Sequence, residues 1–224
     1  MMASCVVIGA GGTIGRALAD ALEAKGRPVL RLGRSSVPAL DLLDEASVAL
    51  AAEGAGQALR LVIDATGVLH GQGLEPEKRL SQLNPTMLAR AFAVNAIGPA
   101  LLMKHFLPRL ARDGRAVFAS LSARVGSIGD NRSGGWYGYR ASKAALNQLV
   151  RTAAVELART HPGAVCVALH PGTVDGPLTR PFAKAGLEVQ TPGLAAGRII
   201  DVLEGLEANQ SGMFFDHRGM AVPF

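Results

Sequence analysis

Cys5-Val6-Val7-Ile8-Gly9-Ala10-Gly11-Gly12-Thr13-Ile14-Gly15-Arg16-Ala17-Leu18 decides the architecture of this chain. A short apolar run rich in β-branched residues reads as a buried parallel strand. It passes directly into Gly9-x-x-Gly12-x-x-Gly15, and then into Ile14, Leu18 and Leu22, an apolar stripe at helical spacing. Glycines at such a turn permit a tight reversal, close approach of backbone to a pyrophosphate, and close packing of helix on strand. The first N–H groups of the helix would face the phosphates. An ordinary glycine-rich turn looks the same in isolation, but its place at the head of an α/β pattern favours a dinucleotide.

Outward from that turn, strands and helices alternate. The pattern predicts a parallel sheet covered on both faces, an α/β doubly wound fold of Rossmann type. Strand-like runs fall at 6–9, 29–32, 61–65, 116–121, 164–170 and 212–215. Helical patterns fall at 14–25, 45–53, 86–111, 137–160 and 192–206. A further short strand is expected just before Asp41, with a loop in place of a crossover helix because the interval is too short for one. Residues 1–224 show neither repeat nor linker and are expected to form one domain.

Hydrophobic residues make up 49% and charged residues 18%, which argues against disorder. No apolar run is expected to reach the ~18 residues of a membrane span. The N-terminus lacks a basic flank and a cleavage site, so a cytoplasmic protein is expected. Cys5 and Cys166 both sit in strand-like runs and read as reduced core residues rather than a disulfide or metal pair. The net charge of +5 comes from scattered basic residues, and aromatics are only 4%, so nucleic-acid binding is not expected. Attraction for a phosphorylated cofactor accounts for it. His70, His105 and His170 are too dispersed for a metal site, and each reads as structural.

The chemistry is announced by Tyr139-Arg140-Ala141-Ser142-Lys143. Residues at i and i+4 share a helical face, so the Lys143 charge can favour the Tyr139 phenolate, whose ordinary pKa is about 10. Such a phenol can exchange a proton with an alcohol or carbonyl oxygen. Tyr137 is the rival base, but the residue four positions on is Ala141. Upstream, Asn95 interrupts the long helical pattern, with Gly98-Pro99 expected to kink the helix just beyond it. A kink frees backbone groups to hold water or point at a site, although an exposed Asn on a surface turn would have the same composition.

Taken together, the glycine turn, Asn95 and the Tyr139/Lys143 pair resemble the short-chain dehydrogenase/reductase family over nearly the whole chain. The order fits too: Asp64-Ala65-Thr66-Gly67 after what counts as the fourth strand, a serine-bearing strand end, and His170-Pro171-Gly172-Thr173 after the sixth. Residues 122–139 are more narrowly similar to the C-factor-like and sniffer-like branch. The resemblance implies that Tyr139 passes the proton and that Lys143 lowers its pKa and holds the nicotinamide ribose. A serine would hold the substrate oxygen, and Asn95 would anchor a relay water. It implies cofactor contacts from Gly9, Gly11, Gly12, Thr13, Ile14 and Gly15, from Ala65, Thr66 and Gly67, and from Pro171, Gly172, Thr173 and Val174. Asp41 would contact the adenine.

Two departures from the family pattern stand out. Ser122 lies 17 residues before Tyr139, further than in most relatives, and Ala123 stands where a second serine is expected. Ser122 is favoured for the strand end it occupies, with Ser120 and Ser127 as competitors. Thr13 replaces the middle glycine of the commoner spacing, a form resembling extended and atypical relatives.

Cofactor choice depends on the end of the second strand, where a carboxylate would favour NAD. The residues are instead Leu32-Gly33-Arg34-Ser35-Ser36, and Arg34 can clamp a 2′-phosphate with Ser35 as a neutral donor. NADP is therefore expected, with NAD the alternative. Residues 173–191, and 176–190 in particular, read as a mobile substrate lid.

The expected activity is NADP(H)-dependent oxidoreduction of a small carbonyl or secondary alcohol, without a metal. The alternative is a cofactor-binding signalling or regulatory protein of the C-factor type, while an epimerase or dehydratase is disfavoured by length. By resemblance the chain would form a homodimer or homotetramer through its two long helices, where Ala141, Ala144 and Ala145 permit close packing.

Overall fold

The computed structural model describes residues 4–71, 73–182 and 188–224. Six strands form one parallel sheet: β1 (Cys5–Ile8), β2 (Val29–Leu32), β3 (Leu61–Asp64), β4 (Ala116–Leu121), β5 (Ala164–His170) and, after the two-residue strands β6 (Thr173–Val174) and β7 (Val189–Gln190), β8 (Phe214–Asp216). Their order is β2-β1-β3-β4-β5-β8, and every neighbouring pair is parallel. The order reverses between β1 and β3, and ligands of open α/β sheets gather at such a switch point.

Alternation along the strands assigns the helices to their faces. Val6, Ile8, Val62, Phe118 and Cys166 join one apolar cluster with Leu102, Phe106, Leu146 and Val150, from α4 (Gly98–Phe106) and α5 (Tyr137–Leu157). Cys5, Val7, Ile63, Val117 and Val167 join the other, with Leu18 and Leu22 of α1 (Thr13–Ala24) and Ile199 and Leu203 of α6 (Pro192–Gly205). Both faces are covered, as the doubly wound expectation requires. Cys5 and Cys166 are free and buried.

The strand expected before Asp41 does not form. Ser36 Oγ donates to the carbonyls of Gly33 and Pro38, and it also accepts from Gly33 N–H, so the chain turns where a strand would extend. Asp44 then caps α2 (Glu45–Ala55) through the N–H of Ala46 at 3.0 Å, and α2 provides the crossover to β3. β2 is the sheet edge. Asp64-Ala65-Thr66-Gly67 accordingly follows the third strand and 171–174 the fifth, each one earlier than the extra strand implied.

The long helix is segmented into α3 (Pro85–Phe92), a wide π-type turn at Ala93–Ile97, and α4. The irregularity includes Asn95 itself rather than falling beyond it at Gly98-Pro99. Contrary to the reading of the composition, Pro85–Arg109 is long and apolar enough to cross a membrane, with a mean hydropathy of 1.4. Its apolar side is spent on the sheet and on α5, through Leu102, Met103 and Phe106.

Candidate active site

At the C-terminal ends of β1, β3, β4 and β5 lies a cleft of about 1170 Å³. Gly12, Thr13 and Ile14 line it at the start of α1, Ala65 and Gly67 after β3, Ser122 after β4, and Pro171 through Val174 after β5. Tyr139 faces it from the first turn of α5. The glycine turn is shaped by steric necessity. A Cβ on Gly15 would lie 2.2 Å from the Gly9 carbonyl oxygen, and Gly9 has φ +79°. These two glycines pack helix against strand, whereas Gly12 and its neighbours present backbone to the cleft. No side chain caps α1 at Gly12, so its first N–H groups remain available to an anion.

Behind Gly67 sits a buried polar assembly. A side chain there would start 3.5 Å from both Asn95 Oδ1 and Lys143 Nζ. Asn95 is fully buried. Its Oδ1 accepts from the Val68 N–H at 2.8 Å, and its Nδ2 donates to the Val68 carbonyl at 2.9 Å. Nδ2 also donates to Ser142 Oγ at 3.2 Å, and Ser142 Oγ donates to the Tyr139 carbonyl at 3.0 Å. The π-type turn thus carries a side chain that fixes the loop after β3 and connects it to the helix bearing Tyr139. A surface role for Asn95 is ruled out.

Lys143 Nζ donates to the Leu121 carbonyl at 2.8 Å. Burial pushes its pKa down to about 8, against the pull of the Asp64 carboxylate. Asp64 is wholly buried at the end of β3, accepting from Ser120 Oγ and Thr66 Oγ1, each at 2.5 Å, and from the Thr66 N–H at 3.0 Å. Burial raises its pKa, and those donors and Lys143 oppose the rise. Burial also pushes the Tyr139 phenol up to about 12. Tyr139 therefore holds its proton at neutral pH and can donate it.

The three serines separate cleanly. Ser120 is committed to Asp64, and Ser127 Oγ accepts from the Asp130 N–H at 3.1 Å. Of the three, Ser122 is the one that lines the cleft. Its Oγ donates to Asn147 Oδ1 at 2.7 Å, so donation to a substrate oxygen requires the hydroxyl to rotate. Tyr137 is exposed at the helix start and does not line the cleft.

Other expected contacts lie outside the cleft. Arg34 and Ser35 occupy an exposed turn after β2, where among the described residues no carboxylate pairs with Arg34. Asp41 is exposed, and its Oδ1 accepts from the Leu43 N–H at 3.0 Å.

Part of the expected lid, 183–187, lies outside the described residues. The rest is tethered. β6 pairs with β7, and Asp175 pairs with Arg180. Gln190 Nε2 donates to the Pro171 carbonyl at 3.2 Å. The Phe182 ring meets Trp136 edge-on at 5.1 Å and His70 at 5.4 Å, while His70 Nε2 lies 3.0 Å from the Pro177 carbonyl oxygen. This clasp across the cleft was missed in the sequence, as were Asn147 behind Ser122 and Asp64 beside Lys143. Asp64 left a signal, a carboxylate closing an apolar strand. The aromatic clasp left none, since its members lie far apart in the chain.

A family model described as enoyl-(acyl carrier protein) reductase matches residues 14–202. A Rhodococcus dehydrogenase of 1-hydroxy-2-glutathionyl-2-methyl-3-butene is 31% identical, over 95% of this chain and 96% of its own. The chain belongs to the short-chain dehydrogenase/reductase family, and it is an oxidoreductase of that family. The C-signal of Myxococcus xanthus is 38% identical over 61% of this chain and 78% of its own. NADPH-bound carbonyl reductase from chicken fatty liver superposes with a TM-score of 0.84 at 26% identity, covering 100% of this chain and 99% of that one. The carbonyl reductase Sniffer of Drosophila melanogaster shares the fold, with a TM-score of 0.84 at 22% identity and complete coverage of both chains.

Proposed function

We propose that the protein reduces a small carbonyl compound with NADPH, or oxidises the corresponding alcohol, secondary where the carbonyl is a ketone, with NADP. The observation that carries this is one cleft lined by Tyr139, by Ser122 and by the open glycine turn at Gly12–Ile14. The described residues fit a dinucleotide. Free N–H groups at the start of α1 suit its pyrophosphate, and the unpaired Arg34 with Ser35 suits a 2′-phosphate. When bound, the nicotinamide supplies the hydride. Tyr139 donates a proton to the substrate oxygen, and Ser122 holds that oxygen once its hydroxyl turns from Asn147. Lys143 holds positive charge behind Gly67, and Asn95 keeps the loop after β3 in place. The chicken relative's bound NADPH and the Rhodococcus relative's alcohol substrate agree with this reading.

Homo-oligomeric pairing through α3–α4 and α5 is supported by exposed Ile97, Val155 and Ala141. The free buried cysteines support a reducing, cytoplasmic setting. Similarity to the C-signal, 38% identity over 61% of this chain, supports a second reading, a cofactor-occupied signalling protein with incidental turnover. NADPH and NADH consumption with a panel of aldehydes, ketones and diketones separates the two. Catalysis requires NADPH-dependent turnover, whereas tight NADPH binding with no substrate consumed favours signalling.

A further inference from the structure

The walls of the cleft are unequal in charge. Among the described residues no Asp or Glu lines it, while Arg124 and Arg140 of the β4–α5 side do, with Lys78 of the segment after β3 packed beside Gly135. Neither cofactor phosphate accounts for them. The pyrophosphate belongs at Gly12–Ile14 and the 2′-phosphate at Arg34, both on the β1–β2 side. Arg124 is compensated by Asp130 at 2.8 Å. Arg140 is not. Its Nε donates to the carbonyls of Gly134 and Gly135 at 3.2 and 2.9 Å, and its Nη1 donates to the Val125 carbonyl at 3.3 Å. No carboxylate of the described residues reaches it, and burial alone holds its pKa below the ordinary value. Lys78 adds an exposed ammonium with no acidic partner among the described residues. The nearest buried carboxylate, Glu77, is turned away to the N–H of Gly138 at 3.1 Å. Val125, Trp136 and Phe182 add apolar surface to the same cleft, and the Phe182 ring packs on Trp136.

We infer that the substrate is an organic acid, a carbonyl compound whose apolar body spans Trp136 and Phe182 and whose carboxylate meets Arg140 and Lys78. A half-buried guanidinium fixed by three carbonyls is pre-organised and uncompensated, so an anion gains there without first displacing a protein carboxylate. Arg140 also fastens the loop that carries Trp136, which links recognition of the acid to the shape of the pocket. This substrate class rests on the reductase function proposed above, and its test has a readout independent of turnover.

Trp136 is the sole tryptophan of the chain and lines the cleft, so its fluorescence reports on this site. 4-Formylbenzoate and its methyl ester would be titrated against the NADP-loaded protein by quenching, and compared as substrates with NADPH. The wild type is expected to bind the acid about tenfold more tightly than the ester, with the preference shrinking at high salt. Lys78→Glu, at an exposed position that leaves the fold intact, should bring the ratio to one or below. An ester bound as tightly as the acid, or a ratio unmoved by Lys78→Glu, overturns the inference. If neither compound is turned over while the binding ratio holds, the reductase reading fails and the anion site stands.

Discussion

The two halves of the cleft are built by different means. On the β1 side, backbone meets backbone: the Gly9 carbonyl leaves no room for a Cβ at Gly15, and β1 passes straight into α1. On the β4–β5 side, separate loops are brought together by side chains. Phe182 rests on Trp136 and His70, Gln190 on the Pro171 carbonyl, and Arg140 on the 134–135 turn. The first half is fixed by sterics with one solution. The second is a set of separable contacts, which lets a substrate site vary on a constant cofactor frame.

Substitutions at the two sides should behave differently. Gly15→Ala should have the largest effect. The new methyl cannot be accommodated without moving α1 off the strand, so a loss of about 3 kcal/mol and of dinucleotide binding is expected in denaturant melts and cofactor titration. An unchanged midpoint would break the contrast between the halves. Phe182→Ala should leave stability nearly untouched and raise KM about tenfold through two lost aromatic contacts, with kcat less affected. Steady-state kinetics beside a thermal melt checks it. Arg34→Ala should weaken NADPH by about fivefold while sparing NADH, which paired cofactor titrations would show.

The smallest effect concerns pH. Burial lowers the Lys143 pKa to about 8 and raises that of Tyr139 to about 12, so the ammonium is lost first as pH rises. Reductive kcat/KM should fall through pH 8, to about a quarter of its plateau at pH 8.5 if charge on Lys143 is required. Over the same window this group's contribution to stability rises, because the unfolded chain binds a proton there that the folded chain does not. Activity falling without loss of fold, followed by rate and circular dichroism together, is the expected signature.

The same contrast governs what the sequence reveals. Gly9-x-x-Gly12-x-x-Gly15 was legible because local sterics leave the chain few alternatives there. The doubly wound sheet was legible because its central strands are short, continuous apolar runs buried on both faces. Tyr139, Lys143, Asn95 and Ser122 stand out by spacing and resemblance, and the structure brings Ser122 and Tyr139 to the cleft with Asn95 and Lys143 behind Gly67. What escaped was non-local. The strand before Asp41 was lost to the bonds of one serine, Ser36, with Gly33 and Pro38. The hydroxyl of Ser122 donates to Asn147 Oδ1, on a residue 25 positions away. The 5.4 Å contact of Phe182 with His70 exists only once the chain is folded. Strand periodicity carries no trace of such pairings.

On the proposed function Tyr139 is the proton donor in a site otherwise able to hold its cofactor. Tyr139→Phe removes one oxygen and leaves the backbone contacts of α5, including the Ser142 bond to the 139 carbonyl, in place. The measurement is single-turnover NADPH oxidation with the best carbonyl of the panel, beside NADPH affinity, for wild type and variant. A rate lower by at least about 100-fold with affinity within about twofold is the predicted result. A variant that turns over at the wild-type rate would contradict the account.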